Sequence, residues 1–242
     1  MKTVVIDPGH GGNDSGAVGN NAVEKDIVLK VAHGLSRFLA DYDVRTVLTR
    51  TGDKFLSLRE RVALCNSTGS SSGRLFVSIH CNAASREQAK GYEIFTTPGK
   101  TDSDKAADLA MREYADRFPD RKQRADLADG DLDKEANFAV LKCKGPAILV
   151  ELGFVTNREE ADWLLREHTQ AAQADAIGRA IVTFLDLEKR LKQNPDPINK
   201  PKPAPDPSPL PEILKLQDAM GKIQVQLAVM SGELAKMKAR TL

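Results

Sequence analysis

Three residues able to bind metal ions or move protons stand where apolar runs end. His10 follows TVVID in the stretch Asp7-Pro-Gly-His-Gly-Gly12. His80 follows LFVSI in Ser78-Ile-His-Cys-Asn82, and Glu151 follows AILV in Val150-Glu-Leu-Gly-Phe154. Short apolar runs of this kind read as buried strands, and open α/β sheets bind ligands beyond the carboxyl ends of their strands. If the three strands are parallel neighbours, the three side chains converge on one sheet edge. Two imidazoles with carboxylates form a donor set for zinc, whose catalytic sites use three protein ligands and keep a fourth position open. Glu24 is the strongest candidate for the third ligand. It lies near the start of the first long helical pattern, shortly after the glycine-rich stretch that holds His10, and that stretch could fold back over the sheet edge.

Each residue also has a plainer reading. A lone His after a strand is commonly a turn or core residue, and a lone Glu commonly ends a strand or caps a helix. The coincidence of two His and one Glu at three strand ends is what favours a site. Glu151 could also close a four-ligand structural site, although such sites usually recruit cysteines. His33, on a helix, and His168, in a charged helical stretch, read as structural. Other chemistries lack their signatures: there is no H-E-x-x-H, no G-x-S-x-G, and GHGGNDSG lacks the Lys-Ser/Thr ending of a phosphate loop. Cys81 adjoins His80, but neighbours on a strand point to opposite faces. Cys65, Cys81 and Cys143 form no CxxC and suggest neither a disulfide framework nor a thiolate zinc site.

The elements that would carry these residues alternate. Strands are predicted at 3–7, 44–49, 75–79, 92–96 and 147–150. Helices are predicted at 23–40, 58–65, 105–118, 158–165 and 171–187, with a flexible loop at 66–73. Alternation of this kind indicates an α/β three-layer sandwich, with helices on both faces of the sheet. The 242 residues carry 35 basic and 34 acidic side chains, a net charge of +1, which excludes a globally basic nucleic-acid coat. No run of eighteen apolar residues suggests a membrane span.

At this point the sequence resembles a known family. DPGHGG (7–12), VEKD around Glu24, TRTGD with the following L..R (49–61), SIHCNA (78–83), GYEIF (91–95) and PAILVELGFVTN (146–157) occur in the order found in zinc-dependent N-acetylmuramoyl-L-alanine amidases of the amidase-3 type. The resemblance covers about residues 1–187. It implies a twisted, mostly parallel or mixed sheet of about six strands with helices on both faces. It implies that His10, Glu24 and His80 bind zinc, that Glu151 is the catalytic carboxylate, and that peptidoglycan is cut between the muramic acid lactyl group and L-alanine. Zinc would lower the pKa of a bound water from near 16 to about 7 and polarise the scissile carbonyl. Glu151 would take the water's proton and return it to the leaving nitrogen. Asp7 and Asn82 are candidates for orienting the imidazoles, and 102–135 is expected to border the substrate groove. The competing functions are another zinc amide hydrolase, such as a peptidase or deacetylase, and a non-catalytic wall-binding module.

Two features depart from the resemblance. The amino terminus has too short an apolar run for a signal peptide, so synthesis in the cytoplasm and action on the wall after release, as by a phage endolysin, is expected. An autolysin exported by another route is the second version. Familiar wall-binding repeats are also missing. Eight of the twelve prolines fall between Pro195 and Pro211, which reads as a semi-rigid linker. The expected division is a catalytic domain at 1–193, the linker at 194–211, and an amphipathic helix at 212–242. In that helix Ile213, Leu216, Met220, Ile223, Leu227, Met230, Leu234 and Met237 recur at spacings of three and four. This is a heptad stripe expected to form a coiled coil between copies.

Overall fold

A computed structural model of the chain describes residues 1–128 and 130–190. The linker at 194–211, the heptad helix at 212–242 and the oligomer expected from it lie outside the described residues. Met1–Arg190 forms a compact unit of its own.

Eight strands and five α-helices make up this unit: β1 (Thr3–Pro8), β2 (Val18–Gly19), β3 (Ala22–Val23), α1 (Glu24–Leu39), β4 (Arg45–Leu48), α2 (Leu58–Ser67), β5 (Arg74–Asn82), β6 (Glu93–Thr96), α3 (Asp102–Arg117), β7 (Lys134–Glu135), β8 (Ala147–Phe154), α4 (Arg158–Leu164) and α5 (Glu167–Phe184). The main sheet has six strands in the order β4-β1-β5-β8-β6-β7. β1, β5 and β8 are parallel neighbours, while β6 runs antiparallel to β8. The sheet is mixed and carries helices on both faces, as expected.

The alternation of strand side chains divides the core in two. Val4 and Ile6, Leu75, Val77 and Ile79, and Ile148, Val150 and Leu152 join the larger cluster, which the helices α1, α3 and α5 cover. Val5, Phe76, Ala147 and Leu149 face the other way, onto Cys65 of α2 and onto Val140 and Leu141 of a 3-10 turn. Cys81 is buried in the larger cluster, on the face away from His80. Two-residue periodicity from Phe76 and Leu149 puts His80 and Glu151 on the smaller, α2 side.

The elements differ from the predicted ones mostly at their ends. β5 and β8 run past their apolar stretches, so His80 and Glu151 sit within strands rather than after them. α3 begins at Asp102, three residues early, because Thr101 and Asp104 form a capping box. Ser57 and Glu60 do the same for α2, which runs on to Ser67, into the predicted loop. A 3-10 turn at Ser71–Gly73 takes up more of that loop. The hairpin β2–β3 and the edge strand β7 are two residues per strand, too short to leave a pattern in the sequence. Cys65, Cys81 and Cys143 carry free thiols. Among the described residues no helix is long and apolar enough to cross a membrane.

Candidate metal centre and active site

β1 ends at Pro8, and the chain then turns sharply through Gly9 and His10. His10 takes a left-handed backbone with φ of 59°, a conformation costing about 1–3 kcal/mol unless surroundings enforce it. Two arginines enforce it. Arg61 donates to the carbonyls of Pro8 at 2.7 Å and His10 at 2.6 Å. Arg50 donates to those of Pro8 at 3.0 Å and Gly9 at 2.7 Å. Arg61 also pairs with the fully buried Asp7 at 2.7 Å. Gly16 lies against the result: at its φ of 65°, a Cβ there would collide with Glu24 Oε2 and the His10 ring.

Glu24 is the first residue of α1 and 3% exposed. Its Oε2 accepts from Ala17 N at 2.7 Å, and its Oε1 from Cys81 N at 2.9 Å. The same Oε1 lies 3.1 Å from His10 Nε2 and 2.9 Å from His80 Nδ1. Among the described residues, His10, Glu24 and His80 are the one group of three ligand-type side chains whose donor atoms could hold a metal ion, all within 4.8 Å of one another.

The outer nitrogen of each imidazole is engaged. His10 Nδ1 lies 2.9 Å from Asp14 Oδ2. His80 Nε2 lies 3.1 Å from Ser78 Oγ, which itself donates to Asp7 Oδ2 at 2.8 Å. With Ser78 donating to Asp7, its oxygen accepts from His80 Nε2–H. Both rings thereby turn their other nitrogen, a lone pair when the imidazole is neutral, toward Glu24. Outer bonds of this kind fix the tautomer of metal-binding histidines, and the donor set suits a divalent ion such as zinc. Without an ion, a proton on His10 answers the carboxylate's charge. Burial by itself would lower the His10 pKa, but hydrogen bonds to Glu24 and Asp14 raise it to about 8. Burial would likewise raise Glu24, yet its bonds to His10 and His80 hold it at about 2.

Glu151 stands opposite His80 in the β5–β8 register, and Glu93 of β6 stands opposite Glu151. The three side chains therefore form one row across three strands. Glu151 is half-buried as a residue, but its Oε2 is shut off from solvent and has no hydrogen-bond partner. Burial raises its pKa to about 7, with the negative charges of Glu24 and Glu93 adding to the rise and the nearby His80 opposing it. Glu93 is held differently. Burial works against its charge, and Lys134 and Arg124 outweigh it and keep the carboxyl below its ordinary range.

The structure thus brings His10, Glu24, His80 and Glu151 to one edge. Asp7 reaches an imidazole, His80, through Ser78. Asn82 does not orient an imidazole; its Nδ2 donates to Glu93. Of 102–135, the helix α3 packs on the larger-core side, and the contact with this row comes from Arg124 and Lys134. Residue types alone did not single out Asp14, Ser78, Arg50, Arg61 or Glu93. The motifs GHGGNDSG, SIHCNA, TRTGD with L..R, and GYEIF contain them.

A mixed six-stranded α/β sandwich, with a three-donor cluster beside a buried carboxyl at the strand ends, makes up a layered α/β protein with a candidate hydrolytic site. Residues 4–183 match the N-acetylmuramoyl-L-alanine amidase family, Amidase_3, and the chain belongs to that family. It is 38% identical over 186 residues to the Bacillus subtilis protein YqiI, covering 76% of this chain and 85% of YqiI. It is 33% identical over 191 residues to the endolysin of Bacillus phage SPP1, covering 78% and 68%. A solved N-acetylmuramoyl-L-alanine amidase from Clostridium difficile 630 superposes with a TM-score of 0.69 at 35% identity, covering 77% of this chain and 97% of that one. The chain is accordingly a peptidoglycan amidase, acting on the bond between N-acetylmuramic acid and the L-alanine of the stem peptide. This decides against a non-catalytic wall-binding module and against a peptidase or deacetylase.

Proposed function

We propose that His10, Glu24 and His80 hold a zinc ion and that Glu151 is the general base and then the general acid of the amidase reaction. The observation that carries this reading is the unpartnered, solvent-shielded Oε2 of Glu151 beside a cluster of three metal-type donors. When bound, zinc supplies Lewis acidity, which acidifies water and polarises a carbonyl.

The chain's own residues do the rest. Asp14 and the Ser78–Asp7 relay keep the outer N–H of each imidazole occupied, which aims the inner nitrogens at the ion. Ala17 N and Cys81 N hold the Glu24 carboxylate in place. Glu151 Oε2 takes a proton from the attacking water and, its burial favouring the protonated form, passes the proton to the leaving L-alanine nitrogen. Glu93, held by Lys134 and Arg124, fixes the end of the row beside Glu151.

The likeness to the SPP1 endolysin supports action on the cell wall. The heptad stripe of 212–242 supports a homo-oligomer joined to the catalytic domain by the proline linker. Linked catalytic domains would gain avidity on a polymeric substrate. Light scattering of the full chain beside a chain ending at Gln193 tests this; two monomers at tens of micromolar would sink it.

The experiment for the site is Glu151→Gln assayed on purified cell wall for new L-alanine amino termini, with zinc content measured in parallel. Zinc is expected to remain while turnover falls about 100- to 10,000-fold. Full turnover in the zinc-loaded variant would remove Glu151 from the reaction.

A further inference from the structure

Beyond Glu151, along the same row, two cations meet one carboxylate. Arg124 Nε donates to Glu93 Oε2 at 2.8 Å and Lys134 Nζ to the same oxygen at 2.5 Å. Glu93 is almost fully buried, while the two cationic side chains remain 28% and 26% exposed. Their backbones lie beyond β6: Lys134 is on β7, and Arg124 N donates to Tyr92 O. The arginine is braced over the Phe154 ring at 5.1 Å and the lysine near the Phe95 ring at 5.9 Å. Two cations against one carboxylate leave a local charge of +1. Among the described residues, both Nη groups of Arg124 and the remaining Lys134 hydrogens find no protein acceptor.

We propose that Arg124 and Lys134 form a subsite for the carboxylate of the stem-peptide residue that follows L-alanine. The inference rests on Glu151 marking the place of the reaction. Adjacent strands are about 4.8 Å apart, and both side chains reach back to Glu93, one strand from Glu151. The cationic heads therefore lie roughly 5–10 Å from the Glu151 carboxyl. An extended peptide advances about 3.5 Å per residue. Starting from the alanine nitrogen beside Glu151, the carboxyl group of the next residue falls within that interval. Glu93 then has a second task, holding the guanidinium and ammonium at the rim while its own charge stays buried. An arginine fork suits a carboxylate, which it can bind through two parallel N–H bonds, and an uncharged carboxamide in that place gives up the charge assistance.

The test compares kcat/KM for two synthetic N-acetylmuramoyl-L-alanyl dipeptides, identical except that the residue after alanine carries an α-carboxylate or an α-carboxamide. The wild type is expected to prefer the carboxylate by roughly 10-fold, the scale of one partly exposed charge-assisted bond. In Arg124→Gln and in Lys134→Gln the preference should shrink toward one. Arg124→Lys, which keeps a cation on Glu93 but loses the fork, should fall between. A purely structural role for the cations would slow both substrates by the same factor and leave the preference intact, and that result overturns the proposal. Equal wild-type kcat/KM on the two dipeptides also overturns it. Glu151→Gln run alongside keeps the two readings apart: unchanged turnover there removes Glu151, whereas a ratio of one in the wild type removes the subsite alone.

Discussion

Replacing Glu151 by Gln should alter how stability depends on pH, in a direction opposite to that of a carboxylate held ionised by a cation. In the folded protein the Glu151 pKa is raised from an ordinary 4.5 to about 7, burial being the largest cause. The folded state therefore binds this proton more tightly than the unfolded chain. Linkage then makes the wild type lose stability as pH rises from about 4.5 through about 7, with the full penalty present above that range. A gap from 4.5 to about 7 corresponds to about 3 kcal/mol. Glutamine does not titrate, so the variant should gain on the wild type by up to that amount between pH 5 and pH 8. For a unit of this size about 2–4 °C of Tm follows each kcal/mol, giving a relative gain of about 6–12 °C. The buried amide of glutamine has its own cost of about 1–3 kcal/mol if left unbonded, but that cost does not vary with pH. The slope, not the sign at one pH, is the readout. The assay is thermal and urea unfolding of both proteins at pH 5 and pH 8, with chelator present so that the same metal-free state is compared. A stability difference that is the same at both pH values would refute the desolvation argument for Glu151.

Three further outcomes are expected. His80→Ala should lose the bound metal together with activity; full zinc occupancy by metal analysis would take His80 out of the site. Ser78→Ala and Asp14→Asn, which meet the imidazoles at their outer nitrogens, should each weaken zinc binding about 10- to 100-fold in a competition titration with a chelating dye. An unchanged affinity in both would mean the outer bonds do not orient the rings. Asp7→Ala should cost about 3–5 kcal/mol in urea unfolding, because it strands the buried Arg61 guanidinium; a cost below about 1 kcal/mol would show that the pair adds no more than an exposed one.

The fold was legible because its central strands are continuous apolar runs and its helices carry clear periodicity. The neighbouring, parallel arrangement of β1, β5 and β8 was a condition of the reading rather than its result, because long segments carrying other strands and helices separate each from the next. Strand ends were less legible. Unbroken apolar character stops at Ile79 and Val150, yet the strands run on to Asn82 and Phe154 because Cys81 and Leu152 continue the larger-core face while the polar His80 and Glu151 take the open end of the α2 face. The start of α3 was missed because it depends on the Thr101–Asp104 capping box rather than on periodicity. In the site, His10, His80 and Glu151 announced themselves by following apolar runs. Glu24 was reachable only through a loop whose path depends on Arg50 and Arg61, arginines that residue types alone would place on the surface. Asp14, Ser78 and Glu93 act through hydrogen bonds between segments distant in sequence or around a turn, and short polar residues in such places have many equally good uses.

The row His80–Glu151–Glu93 has a consequence for which changes in length the chain can absorb. The three side chains share a face only because β5, β8 and β6 are in a particular alignment. Inserting one residue within β5 between Phe76 and His80 would turn the imidazole away from Glu24 and into the layer that holds Val77 and Ile79. The same insertion at 68–70, between α2 and the 3-10 turn, changes only a connection. Single-residue insertions should therefore be tolerated or lethal in alternating blocks along the chain. The boundary between blocks should fall at the first paired residue of each strand, and scanning insertions across 66–82 would trace it.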